Sequence, residues 1–200
     1  LEHHSESTEA LFCHLPGLTV VVPSNPYDAK GLLTASIRSD DPVLFLEPTK
    51  LYRAEKQDVP EAPFEVPLRQ AAVVREGRDL TIIAWGAMIP VARETASAAE
   101  AGGVSVEIID LRTLSPMDRG TILASVRKTG RALVLHEAPR TCGLGAEIAA
   151  LIGESALLSL KAPVVRVTAP DITVPLPKSE DLYYPNPERV LRAVRKIMEY

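Results

Sequence analysis

The residues able to do chemistry in this chain of 200 are few and scattered. His3-His4 sit just ahead of a helix-like stretch, where the helix dipole favours the neutral imidazole that can accept or donate a proton. The same pair reads equally as a tag remnant or a solvated surface feature, because the chain opens Leu1-Glu2-His3-His4. His136-Glu137 follow an apolar run at what should be the carboxyl end of a strand. Parallel α/β sheets collect ligands there, and a subunit interface is an equal reading. Gly143-Leu144-Gly145 precede a helical pattern and could cradle an anion. They lack the third glycine of a dinucleotide fingerprint and the lysine of a P-loop, so a packing or turn role is expected. Ser39-Asp40-Asp41 offer oxygens to a hard cation, or simply end a helix. Cys13 and Cys142 form no CxxC pair, so a disulfide framework and a zinc site are disfavoured and both thiols are expected to be inert. No GxSxG elbow or HExxH motif is present.

The elements that must position these groups alternate in type. Residues 5–15 read as a helix ended by Pro16-Gly17, and the β-branched run 19–22 as a buried strand. Ser24-Asn25-Pro26 start a one-sided helix through Ile37, and residues 43–46 are a second buried strand. Strand, helix and strand in so short a span make a βαβ unit with parallel strands. Prolines at 48, 60, 63 and 67 mark residues 48–67 as an extended linker. Beyond it come a possible edge strand at Ala71-Val73-Val74, then a strand at 80–84, a helix at 88–101 closed by Gly102-Gly103, and a strand at 106–109. Ser115-Pro116-Met117-Asp118 reads as a capping box opening a helix to about Gly130. A strand at 132–135, a helix at 145–152, a strand at 164–167 and a helix at 188–199 complete the alternation. The fold class is therefore α/β, with the main sheet covered by helices on both faces.

Composition excludes several functions. Hydrophobic residues are 46% of the chain, enough for a buried core, and 22 basic against 26 acidic residues leave a net charge of −4. With no basic run, nucleic acid is not an expected partner. No apolar stretch approaches the roughly 18 residues of a membrane span, so no membrane role is expected. Cysteine usage points to a reducing compartment. The start inside a βαβ unit, without Met, reads as part of a longer protein.

Several strings in order carry a family resemblance. They are His4-Ser5-Glu6-Ser7 with Glu9-Ala10-Leu11-Phe12; Pro16-Gly17-Leu18 with Val20-Val21-Val22-Pro23-Ser24; and Pro26-Tyr27-Asp28-Ala29-Lys30-Gly31-Leu32-Leu33. Asp41-Pro42-Val43-Leu44-Phe45-Leu46-Glu47-Pro48, Leu51-Tyr52-Arg53, Ala84-Trp85-Gly86, Ile109-Asp110-Leu111-Arg112-Thr113-Leu114-Ser115-Pro116 and His136-Glu137-Ala138-Pro139 continue the series. Together they resemble the beta subunit of the thiamine-diphosphate-dependent 2-oxo acid dehydrogenases, over essentially the whole chain.

That resemblance implies residues 1–47 as the last βαβ part of a pyrimidine-binding domain, 48–67 as linker and 68–200 as a transketolase C-terminal-type domain. It implies oxidative decarboxylation of a 2-oxo acid with acyl transfer to a lipoyl group. The His-Ser-x-Ser form and the Leu-Tyr-Arg ending favour a branched-chain substrate, with pyruvate next. His4 is the one implied catalytic residue, assisting reductive acylation of the lipoyl group. The glutamate that activates the cofactor is expected upstream of Leu1, and the magnesium-diphosphate motif in the alpha subunit. No cofactor-binding residue is therefore expected here, and the chain alone should be inactive. A monovalent cation such as potassium is implied at Ser36, Ser39 and Asp41. Implied partners are the alpha subunit, a second beta subunit and the dihydrolipoyl acyltransferase core, with His136, Glu137, Pro139, Glu199 and Tyr200 as candidate contact surface. The implied setting is a bacterial cytoplasm, or a mitochondrial matrix in a eukaryote. Two rivals stand beside this reading: a non-catalytic dimerisation and docking module, and the equivalent region of a transketolase or deoxyxylulose-phosphate synthase, which fits the strings poorly. A first block lacking the rest of its sheet is expected to be marginal, with weak hydrogen-exchange protection over 20–46 and strong protection over 80–167.

Overall fold

The computed structural model describes residues 5–175 and 177–200. In chain order the elements begin with α1 (Glu9–Cys13), β1 (Thr19–Val21), α2 (Pro26–Ile37) and β2 (Val43–Phe45). They continue with β3 (Ala72–Arg75), β4 (Leu80–Ala84), α3 (Met88–Ala101), β5 (Val106–Asp110), β6 (Thr113–Ser115) and α4 (Arg119–Thr129). The last are β7 (Ala132–Pro139), α5 (Leu144–Ala156), β8 (Val165–Ala169), α6 (Glu180–Tyr183) and α7 (Pro187–Met198).

The main sheet has the order β3-β5-β4-β7-β8, parallel throughout except for the antiparallel edge strand β3. Alternation along its strands feeds two cores. Leu80, Ile82 and Leu133 face α3 and α7, where Ala92, Ala96, Val190 and Val194 fill the layer. Ile83, Ile109 and Val134 face α4 and α5, meeting Ile122, Val126, Ile148 and Ile152. The helices start where the sequence supplies caps. Asn25 accepts from the Asp28 amide ahead of Pro26, and Asn186 accepts from the Arg189 amide ahead of Pro187.

Three expectations need correction. The first helix is only Glu9–Cys13, not the whole of 5–15. The cap of α4 is Asp118 rather than Ser115: its carboxylate accepts from the Thr121 amide at 3.0 Å, the Thr121 hydroxyl at 2.7 Å and the Ala71 amide at 3.1 Å. Residues 113–115 form a strand instead, which crosses to the first block and completes a second sheet of order β2-β1-β6. The third correction follows from that strand. β1 is paired on both sides, fully buried, and packs through Val20 and Val22 into the core beneath α4 and α5. Residues 48–67 do not merely span a gap either. Phe64 and Val66 pack against α2, where a Cβ on Gly31 would come within 2.5 Å of Val66 Cγ2. β2 is a half-buried edge of this sheet. Hydrogen exchange should therefore show strong protection for the amides of β1 and weaker protection for β2; uniformly weak protection across 19–45 would mean that β6 does not hold the first sheet.

Candidate functional site

The segment 5–9 lies against the carboxyl ends of β4 and β7, and three contacts hold it there. The Tyr184 hydroxyl donates to the Ser5 carbonyl at 3.2 Å. The Ser7 hydroxyl donates to the Glu137 carboxylate. The Trp85 indole donates to the carboxyl group of Glu9. Together these walls enclose a cleft of about 530 Å³, closed on its other sides by residues 46–50 and by Glu180 and Asp181.

The turn after β4 shapes this cleft. Gly86 has φ of +53°, and a Cβ there would stand 2.9 Å from Val22 Cγ1 and 3.1 Å from Pro48 Cγ. Only glycine both accepts that backbone and lets the two blocks close on each other. Trp85, buried in this turn, sets its indole between Glu9 and the ring of His136, which stacks on it at 5.3 Å with 12° between planes.

Among the described residues, six carboxyl groups line the cleft, from Glu6, Glu9, Glu47, Glu137, Glu180 and Asp181, against one ammonium, that of Lys50. Glu9 is the deepest. It is 4% exposed, and its Oε1 has no hydrogen-bond partner among the described residues. Burial pushes its pKa up to about 7, and the neighbouring Glu137 adds to the rise. Burial also raises the Glu137 carboxyl, against the opposing pull of Ser7 and Lys50. Near neutral pH such a pair holds a proton that it can give or take.

The family described as "Transketolase, C-terminal domain" matches residues 69–190, and "Transketolase, pyrimidine binding domain" matches residues 1–55. The chain belongs to the transketolase family. Within it, the chain is similar to the pyruvate dehydrogenase E1 component subunit beta of Acholeplasma laidlawii. The two are 50% identical over 197 residues, which cover 98% of this chain and 60% of that one. It is 49% identical over 198 residues to the mitochondrial 2-oxoisovalerate dehydrogenase subunit beta 2 of Arabidopsis thaliana, covering 99% and 55% of the two chains. A solved split-gene transketolase, an inactive beta4 tetramer, superposes with a TM-score of 0.79 at 28% identity, over 95% of this chain and 60% of that one. The chain thus spans between 55% and 60% of the length of the two curated relatives. The resemblance to 2-oxo acid dehydrogenase beta subunits and the transketolase-type α/β fold are both borne out.

In this transketolase-family chain the residues singled out from sequence fall as follows. His4 lies outside the described residues; Ser5 and Ser7 of its motif line the cleft. His136 was expected on an interface and is instead wholly buried in β7, so it cannot be contact surface. Burial pushes its imidazole down to about 4, helped by the positive charges of Arg166 and Arg140, and its ring nitrogens make no well-formed hydrogen bond among the described residues. Glu137, its neighbour on the opposite side of the strand, faces the cleft. Glu199 and Tyr200 are exposed at the end of the chain. The side-chain oxygens suggested for a cation are already engaged. The Ser36 hydroxyl donates to the Leu32 carbonyl, the Ser39 hydroxyl accepts from the Asp41 amide, and Asp41 pairs with Arg69 at 2.7 Å. No cluster of three or more His, Cys, Asp or Glu able to hold a metal occurs among the described residues. Likewise, no helix among them is long and apolar enough to cross a membrane.

Sequence reasoning missed Glu9, Trp85, Lys50 and Tyr184 as cleft residues. The one available signal was Trp85, the only tryptophan, set directly at a strand's carboxyl end. The packing role expected of Gly143 and Gly145 fits the geometry. A Cβ at Gly145 would lie 2.6 Å from His136 Nε2, and one at Gly143 2.8 Å from its Cε1. Gly145→Ala should therefore cost about 1–3 kcal/mol in denaturant unfolding through overpacking. Gly153→Ala, in the same helix with nothing within 4 Å, should gain about 0.5–1 kcal/mol. Equal effects of the two substitutions would remove this explanation of the glycines.

Proposed function

We propose that this chain is the C-terminal portion of the beta subunit of a 2-oxo acid dehydrogenase and forms one wall of its active site. The observation that carries the reading is the acidic cleft that holds Ser5 and Ser7 of the His-Ser-x-Ser motif against the carboxyl ends of β4 and β7. The reaction is oxidative decarboxylation of a 2-oxo acid with acyl transfer to a lipoyl group. Relatives named for pyruvate and for 2-oxoisovalerate are matched at 50% and 49% identity, so both substrates belong in the assay.

Thiamine diphosphate is the cofactor proposed for the assembled enzyme, and it supplies the carbanion chemistry when bound. The residues described here do not fit its diphosphate. Six carboxyl groups face one ammonium, a lining that repels a polyanion. The alpha subunit is proposed to hold the diphosphate and its magnesium. What this chain contributes is position and a proton reservoir. Tyr184, Ser7 and Trp85 fix the segment that follows His4, and the Glu9–Glu137 pair sets the charge beneath it. His4 is proposed to serve the lipoyl transfer. A second beta copy and the acyltransferase core are the further partners proposed, with the exposed chain end at Glu199 and Tyr200 as one contact surface. A monovalent cation at Ser36, Ser39 and Asp41 is proposed through backbone carbonyls, since the side chains there are taken. The proposed setting is a bacterial cytoplasm or a mitochondrial matrix.

The test is to co-express the full-length protein with a 2-oxo acid dehydrogenase alpha subunit and assay decarboxylation of pyruvate and 2-oxoisovalerate, with and without lipoyl acceptor. The expected result is activity only in the complex, with His4→Ala losing lipoyl acylation far more than decarboxylation. Assembly without turnover of either acid would favour the non-catalytic docking module instead.

A further inference from the structure

On the far side of the main sheet from β3, four arginines converge between β8 and α7. Arg140, Arg166, Arg189 and Arg192 line a cleft of about 420 Å³, within the size range of small-ligand sites. Backbone carbonyls hold three of the four guanidinium groups in place. The Arg140 Nη1 donates to the Arg166 carbonyl at 2.9 Å, and the Arg166 Nη1 returns a bond to the Arg140 carbonyl at 3.1 Å. Arg189 is anchored on the carbonyls of Tyr183 at 3.1 Å and Thr168 at 2.9 Å. Among the described residues, none of these three pairs with a carboxylate. Arg192 alone reaches one, at 3.3 Å to Glu188 in an exposed contact on the same helix. Asp171 also lines the cleft and stays ionised: the Thr141 amide and hydroxyl donate to its carboxylate at 2.8 and 2.7 Å and the Arg140 charge helps hold its pKa down, so four arginines face the carboxylates of Asp171 and Glu188 and a net positive charge remains. A carbonyl fixes a guanidinium's orientation and leaves its other N–H groups free, so ordering is settled before any ligand arrives. In a protein with net charge −4 this is a local excess of positive charge.

This positive charge is felt inside the fold. The buried His136 ring is disfavoured as a cation by both Arg166 and Arg140. One wall of the cleft is apolar, built from Val165, Val167 and Ala193. Guanidinium forks match phosphate oxygens two at a time, and an apolar wall beside them suits the organic part of a phosphate ester.

We infer that this arginine cleft is a binding site for a small organic phosphate bearing at least two negative charges, separate from the acidic cleft. The inference does not depend on the dehydrogenase reading. It is tested on the full-length protein in magnesium-free buffer by calorimetric titration with inorganic pyrophosphate, then with adenosine 5′-diphosphate. Hexaglutamate serves as a competitor. Saturable binding of both phosphates is expected, tighter for the organic one and weakened by added salt. Arg166→Gln and Arg192→Gln should each weaken it about tenfold, and Arg93→Gln, an exposed arginine on α3, should leave it unchanged. Thermal unfolding of each variant confirms that the fold is kept. Absence of saturable binding, or binding indifferent to both cleft substitutions in folded protein, overturns the inference. Hexaglutamate binding more tightly than either phosphate also overturns it, and makes the cleft a contact for an acidic protein segment.

Discussion

Removing the Arg112 side chain is expected to destabilise the protein by about 3 kcal/mol, the largest loss we expect from a single side chain remote from the two clefts. Arg112 follows β5 with φ of +57°, a left-handed conformation that a non-glycine residue holds at a cost of roughly 1 kcal/mol. Its guanidinium reaches the carboxylate of Asp28 in the first turn of α2, Nε to Oδ2 at 3.0 Å and Nη2 to Oδ1 at 2.9 Å. The Asp28 side chain is 1% exposed. The Asn25 amide supplies one further bond at 2.7 Å, which cannot replace a cation. Arg112→Ala thus strands a buried anion, and the penalty comes from that uncompensated charge rather than from the lost attraction. The double variant Arg112→Ala with Asp28→Asn should recover part of the loss. Denaturant unfolding at constant m-value is the measurement. A loss below about 1 kcal/mol would show that water reaches Asp28 and that the pair contributes no more than a surface one.

The second large effect is on pH dependence, through Glu9. Its folded pKa of about 7 lies above the ordinary glutamate value of 4.5, so the folded protein holds this proton where the unfolded chain has released it. The stability so gained is complete below pH 4.5 and is lost as pH rises through 7. The difference is worth about 3 kcal/mol. Asp110, buried and pushed up to about 6 from 3.8, acts in the same direction over a lower window. His136, held near 4 against 6.5, acts oppositely: its contribution is complete above 6.5 and is lost as pH falls through 4. Comparing Glu9→Gln with the parent cancels both. The parent should lose about 2–3 kcal/mol relative to the variant between pH 5 and pH 8. Parallel stability curves for the two proteins would mean that Glu9 ionises normally and that the floor of the cleft is wet.

Most of the main sheet was legible because its signals are local. The helix Met88–Ala101 carries a one-sided apolar pattern and ends at Gly102, and α2 begins at an Asn-Pro pair whose geometry is the same in any context. What was not legible depends on partners distant in sequence. Residues 113–115 are too few for periodicity and sit beside Pro116, a residue that argues for a helix start. Only their pairing with β1 makes them a strand. His136-Glu137 suggested a ligand site or an interface because the pair follows a strand's carboxyl end. The burial of His136 is decided by Trp85 and by two glycines that leave room for the ring. The acidic cleft was invisible for the same reason, since Glu9, Lys50, Trp85, Glu137 and Tyr184 come from five separate stretches. Of the His-Ser-x-Ser string, Ser5 and Ser7 line this cleft, but the string itself names none of the other walls.

The strand that crosses from one sheet to the other also sets an order of events during synthesis. β1 finds one neighbour, β2, within the next 25 or so residues, but the other only when Ser115 comes opposite Val20, about 95 positions along the chain. While the ribosome is making the residues between, the β-branched face of β1 has no cover on that side and is open to pairing with other chains. The arriving β6 follows directly on β5, which lies between β3 and β4 in the main sheet. The first sheet can therefore close only after Ser115 has emerged, while the main sheet still waits for β7 and β8, so the two sheets are completed together late in synthesis rather than one after the other.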